Sequence, residues 1–170
     1  ASATSGDTVR VECGTYFESG LVIPQGVTLV SEDGDPGCVT IDGSGSTGRV
    51  LQVADADTAT LLAGITVVGG NGVGRGGGLY CLRASPRVSD CVFHGNAAVS
   101  GGGVACAEGS AGVFVGCRFS GNSATDGGGI YCTGGSSASF LQCTIDNNAA
   151  SGLGGAVRCD SLSSPTFTRS

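Results

Sequence analysis

The residues able to do chemistry in this chain fall into three groups: an acidic turn, a single histidine and nine cysteines. Glu32, Asp33 and Asp35 stand in the segment Ser31-Glu32-Asp33-Gly34-Asp35-Pro36-Gly37, and a smaller acidic pair, Asp55 and Asp57, follows. Carboxylate oxygens at such spacing can hold calcium. Calcium beside a basic group would serve β-elimination from an acidic sugar, the cation neutralising the uronate while the base takes the proton. Acids in a Gly/Pro turn read more simply as a solvated loop; a structural calcium is the one metal such a turn could hold, and no cofactor is expected. Glycoside hydrolysis needs two carboxylates at a set separation across the scissile bond. His94 stands in Phe93-His94-Gly95-Asn96, and Ser120 and Asp146 take its place at intervals of about 26 residues. It therefore reads as a solvent-facing spacer. The run Gly72-Val73-Gly74-Arg75-Gly76-Gly77-Gly78 lacks the Lys-Ser/Thr and the helix that a phosphate cradle uses. The chain has no Lys, and no nucleophile elbow accompanies the one His. No catalytic residue is assigned, and the expectation is that the chain is not an enzyme.

The cysteines have no CxxC spacing and only one His beside them, so they do not read as a zinc site. Dense Cys without metal spacing favours an oxidising, extracellular or cell-surface location. Two series are visible. Cys81, Cys106, Cys132 and Cys159 end one kind of strand; Cys91, Cys117 and Cys143 begin the apolar face of another. Pairs around one corner (Cys81–Cys91, Cys106–Cys117, Cys132–Cys143), pairs between coils such as Cys13–Cys38, and inward thiols that simply pack are all compatible with these positions. Disulfides are the favoured reading, with connectivity open.

What must position these residues is a repeat of about 26 residues. Its copies read TATLLAGITVVGGNGVGRGGGLYCLR, ASPRVSDCVFHGNAAVSGGGVACAEG, SAGVFVGCRFSGNSATDGGGIYCTGG and SSASFLQCTIDNNAASGLGGAVRCDS. Within a copy, Cys117 and Phe119 share one face across Arg118, as Phe93 and Ile145 do with their own neighbours. Such alternation marks a strand with one buried face. A second strand follows each glycine run, with Leu79, Val104, Ile130 and Val157 inward and Tyr80, Ala105, Tyr131 and Arg158 facing solvent. No 3.6-residue apolar pattern is long enough for a helix. Asn96, Asn122 and Asn148 recur in step, with Asn71 one residue out of step, and are expected to form an inward hydrogen-bonded ladder.

The motifs Gly-Gly-aliphatic (Gly77-Gly78-Leu79, Gly102-Gly103-Val104, Gly128-Gly129-Ile130) and Phe-x-x-Asn (Phe93 to Asn96, Phe119 to Asn122) resemble the repeats of polymorphic outer-membrane proteins. The first half, with Gly14-Thr15-Tyr16 and Ile41-Asp42-Gly43, is similar to the opening coils of secreted pectate-lyase-like proteins. The resemblance implies an all-β fold: a right-handed, single-stranded parallel β-helix of about six to seven coils. Right-handedness comes from the resemblance alone. One domain, 1–170, is expected, with irregular coils over 1–57, regular coils over 58–170 and an incomplete last coil.

Net charge is -6 and the pI about 4.4, which excludes the basic stripe that nucleic acid requires. No apolar run is long enough to span a membrane as a helix. The segment from Ser164 to Ser170 repeats that from Ser85 to Cys91, so the chain is expected to stop in mid-coil, to be covered by further coils of the same protein or by a second copy stacked end to end. These features lead to an extracellular structural or adhesive rod: stalk, surface layer, adhesin or filament subunit. The alternative is a polysaccharide-binding or polysaccharide-cleaving β-helix whose site lies outside this segment, with surface glycans as partners. Tyr80 and Tyr131 are the residues here that would stack on sugar rings.

Overall fold

A computed structural model describes residues 2–170. Among these residues there are 23 strands and no helix, and every strand pairing is parallel. Each turn of the chain visits up to four sheets in a fixed order. The first sheet has seven strands, from Thr8–Val11 to Thr166–Thr168, and the second six, from Gly14–Tyr16 to Thr144–Asp146. The third has four, from Asn71–Arg75 to Ala149–Ala150, and the fourth six, from Leu21–Ile23 to Val157–Cys159. The first two coils pass from the second sheet to the fourth without a third-sheet strand. From Leu61 onward each coil has all four until the chain ends in a first-sheet strand.

Register follows from the apolar pattern. Leu29 pairs with Leu62, Val88 with Phe114, and Phe93 with both Val67 and Phe119. A one-residue slip would turn each of these side chains out of the tube, so the register is strongly specified. Leu79, Phe93, Val104, Phe119 and Ile130 are fully buried; Ile145 and Val157, in the last coils, are half-buried against the same core.

Two phenylalanines that the alternation did not single out, Phe114 and Phe140, are as buried as Phe119. Phe114, Phe140 and Phe167 stack along the first sheet with ring centroids 4.8 and 4.9 Å apart. Phe93 and Phe119 stack along the second at 5.3 Å. The two columns meet edge to face, Phe119 lying 6.0 Å from Phe114 and 5.8 Å from Phe140. Burying each such ring contributes roughly 1.5–3 kcal/mol.

The corner between the first two sheets explains why Phe114 escaped notice. One residue there is left-handed in each regular coil: Gly64 (φ 63°), Asp90 (50°), Gly116 (62°) and Gln142 (54°). That single residue resets the alternation, so Phe114 and Cys117, three apart, both point inward. A Cβ on Gly116 would stand 2.6 Å from Asp90 Oδ1 on the coil before, so the Asp90 carboxylate would have to turn aside.

The outward residues of the fourth sheet differ from expectation. Tyr80, Ala105 and Tyr131 are buried, forming with Ala107 a second apolar cluster on the outside of the sheet. The glycine runs cause this by folding the chain back against that face. A Cβ on Gly101 would lie 2.9 Å from Ala105 Cβ, and one on Gly127 would lie 3.1 Å from Tyr131 Cβ. Ala105 stands between Tyr80 and Tyr131 in register, and all three belong to this cluster.

Candidate functional site

The asparagines form a polar column through the interior of the regular coils. Asn96 and Asn122 are fully buried. Each donates from Nδ2 to a carbonyl on the coil before: Asn96 to Val67 O (2.9 Å), Asn122 to Phe93 O (2.9 Å), and Asn148 likewise to Phe119 O (2.8 Å). Each also donates to the next asparagine, Asn96 to Asn122 Oδ1 (3.2 Å) and Asn122 to Asn148 Oδ1 (2.9 Å). Those Oδ1 atoms accept the backbone N–H of the residue one coil back as well, at 3.0 Å. Asn71 is no part of this ladder: it is exposed and pairs with Ala97. Gly70 occupies the ladder position, donating its N–H to Asn96 Oδ1 at 2.9 Å. A side chain at Gly70 would run into the Gly77 carbonyl, which is why the asparagine is displaced by one residue.

The acidic turn offers no converging ligand set. Asp33 Oδ1 accepts the Asp35 N–H (2.9 Å) and Asp35 Oδ1 accepts the Gly37 N–H (2.8 Å), so both carboxylates tighten their own turn. Glu32 is exposed and joins neither. Among the described residues, the one group of metal-competent side chains is Cys13, Asp33 and Cys38, and those two cysteines are bonded to each other. The residues present do not fit a calcium centre.

Cys13 and Cys38 form a disulfide between the first two coils, with Cα atoms 4.7 Å apart. The other seven are free thiols, and the corner pairings are not made. Cys81 ends a fourth-sheet strand, whereas Cys91 lies past the next first-sheet strand, so one whole wall of the tube separates them. The thiols stack on their equivalents instead. Cys81, Cys106, Cys132 and Cys159 are successive register partners, and Cys91, Cys117 and Cys143 precede the register-paired Val92, Arg118 and Thr144. Burial pushes the Cys91 thiol up to about 12. Interaction with the Cys106 thiol, reinforced by burial, raises Cys132 as well, so Cys91 and Cys132 stay protonated at neutral pH.

Polar groups converge in a cleft on the outer surface. A cleft of about 510 Å³ is bounded by Ser19, Ser46, Arg49, Gln52, Gly72 and Gly74. Ser46 Oγ donates to Ser19 Oγ (2.7 Å) and Arg49 Nη1 to Gln52 Oε1 (3.0 Å). The Arg49 guanidinium lies 4.4 Å above the Tyr80 ring, a cation–π contact that holds it at the cleft wall. Sequence reasoning missed this cleft because Ser19, Ser46 and Arg49 belong to the irregular coils and have no counterparts in the repeat. His94 is exposed, with Nδ1 2.9 Å from Ser120 O and no carboxylate partner. Ion pairs run between coils on the outside: Arg83 with Asp55 and Glu108 (2.7 Å each), and Arg118 with Asp146 (2.9 Å). Such exposed pairs contribute little to stability.

The model of one protein family, described as a right handed beta helix region, matches residues 38–170. The chain belongs to the right-handed β-helix family. Comparison with curated proteins gave no match, and comparison with solved structures gave none. In this right-handed β-helix the match begins at Cys38 and takes in every coil that carries the asparagine, phenylalanine and thiol columns. Membership fixes fold and handedness; the chemistry of a β-helix is decided by its own surface.

Proposed function

We propose that this β-helix is an extracellular structural or adhesive rod without enzymatic activity. One observation carries the reading: the recurrent polar residues are committed to the scaffold, with Asn96 and Asn122 bonded wholly to neighbouring coils and their asparagines. The Cys13–Cys38 disulfide supports an oxidising compartment. The first coil opens into an apolar cavity of about 660 Å³ bounded by Val11, Leu21, Val27, Leu29 and Ile41 among others, and Phe167 is exposed in the last strand. Both surfaces suit further coils of the same protein or a second copy stacked end to end. Electron microscopy of native material tests this: elongated rods or filaments are the expected result, and compact, unextended particles would overturn it.

A second reading, polysaccharide binding, is favoured by the cleft at Arg49. A guanidinium, an amide and two hydroxyls suit an acidic sugar. Tyr80 and Tyr131 are too buried to stack on sugar rings, so recognition there would be polar. Binding of a panel of acidic polysaccharides, compared between the native chain and Arg49→Ala, separates the readings. Arg49-dependent binding supports the second, and release of unsaturated or reducing ends would overturn the non-enzymatic assignment.

A further inference from the structure

Three cysteines stand one above another on the inner face of the fourth sheet. Cys106 is the register partner of Cys81 on one side and of Cys132 on the other, and all three are buried in the core. Cys81 and Cys106 lie in the middle of the tube, with Val53 in register before them and Cys132 after. Their burial therefore does not depend on either end of the chain. Register partners in parallel strands stand about 4.8 Å apart, inside the Cα range that a disulfide spans. The molecule already bridges coils across the same 25-residue separation, since Cys13 and Cys38 immediately precede the paired Gly14 and Val39 with Cα atoms 4.7 Å apart. The other thiol column also has backbone partners: Cys117 donates from Sγ to Val88 O (3.5 Å) and Cys143 to Phe114 O (3.6 Å). The neighbours of the Cys106 thiol are the thiols of Cys132 and Cys81.

We propose that Cys81 and Cys106 are an oxidation site, closed into an inter-coil disulfide by a low-molecular-weight disulfide while the tube winds. Before the coil closes, both thiols stand in water and ionise in the ordinary thiol range. The Cys81 thiol loses its proton to water, and its sulfur bonds to one sulfur of the small disulfide. That S–S bond breaks and one small thiolate leaves. The Cys106 thiol then loses its proton and bonds to Cys81 Sγ, displacing the second small thiolate. Two protein thiols are oxidised to one disulfide, and the small disulfide is reduced to two thiols. Cys106 pairs with Cys81 in preference to Cys132 because a chain folding from its N-terminal side brings that pair together first.

In the form with seven free thiols, Cys13–Cys38 is the one covalent link between coils; oxidation adds a second. The pair needs only an oxidising medium, which the experiment supplies, so it fails or survives independently of the rod and glycan readings.

The test secretes the 170-residue chain into an oxidising compartment, alkylates free thiols in denaturant without reductant, and maps disulfides by tryptic mass spectrometry. Cleavage after Arg75, Arg83, Arg87 and Arg118 leaves Cys81 alone in peptide 76–83 and Cys106 in peptide 88–118, where fragmentation separates it from Cys91 and Cys117. The expected product is these two peptides joined through Cys81 and Cys106. In the folded chain, dithiothreitol should open Cys13–Cys38, whose Cys13 is exposed, and leave Cys81–Cys106 closed until urea is added. Cys132→Val, which places in this column the residue that Val53 already supplies, should keep the pair. If Cys132→Val does not fold, the map of the native sequence decides alone. Cys81 and Cys106 found alkylated, or capped by the small thiol, or Cys106 joined to Cys132, would overturn the proposal. So would opening of Cys81–Cys106 in the folded chain as fast as Cys13–Cys38, or loss of the pair in folded Cys132→Val.

Discussion

The Asn122 side-chain amide nitrogen lies 2.9 Å from the Phe93 carbonyl oxygen, one coil away in the interior of the tube. This bond satisfies a buried carbonyl that faces no water. Asn122→Leu would leave that carbonyl and the Asn96 N–H without partners. Each buried group so orphaned costs about 1–3 kcal/mol, and a total loss of about 3 kcal/mol is expected in urea unfolding. Asn71→Ala, outside the ladder and exposed, should change stability by about 0.5 kcal/mol or less. Equal losses at the two positions would refute the ladder's structural role.

The glycines divide into two kinds that calorimetry can tell apart. A Cβ on Gly103 would stand 2.7 Å from the Gly129 carbonyl oxygen and 3.0 Å from Asn122 Nδ2, groups fixed by the coil above. Gly103→Ala should cost roughly 3 kcal/mol, at the upper end of overpacking. Gly109 has open space around it but a φ of 74°. Gly109→Ala should cost only the left-handed strain, about 1–2 kcal/mol.

Tyr131 Oη donates to Asp160 Oδ2 at 2.6 Å. Hydrogen bonds from Thr133 and then Tyr131 hold the Asp160 carboxyl below the ordinary aspartate range. Its stabilising contribution is therefore present above that range and is lost as pH falls through the depressed value. Burial, then the same bond, raises Tyr131 above the ordinary tyrosine range, so its contribution holds at neutral pH and is lost as pH rises through the raised value. Tyr131→Phe should flatten both limbs of the stability–pH profile measured by urea midpoints. A profile unchanged on the acid side would show that the bond does not act there.

Cys13→Ser removes a bridge across a sequence separation of 25 residues. Loss of that closure should cost about 3 kcal/mol. Hydrogen exchange should locate the loss in the first two coils, leaving amides of the Phe93 to Phe140 region protected.

Much of this architecture was readable in the residues. The alternation around Phe93 and Phe119 and the spacing of Asn96, Asn122 and Asn148 are local signals, and stacking equal units demands the geometry seen. Two of the misreadings share a cause. Phe114 and the buried Tyr131 depend on how the chain turns at Gly116 and Gly127, and a glycine's φ is not written in its identity. The between-coil pair Cys13–Cys38 is formed, whereas the corner pairings failed because a short sequence distance hid the wall of the tube between Cys81 and Cys91. The Arg49 cleft has no periodicity at all, so nothing in the repeat pointed to it.

Because every strand pairs only with the coil on either side, the chain is wound like thread on a spool. Tension applied at the last strand loads one coil's bonds at a time instead of shearing whole sheets. Each regular coil that lets go releases 26 residues, on the order of 90 Å of contour. A stretched molecule would lengthen in even steps, readable in an optical trap, until the Cys13–Cys38 clasp halted the unwinding at the first turn.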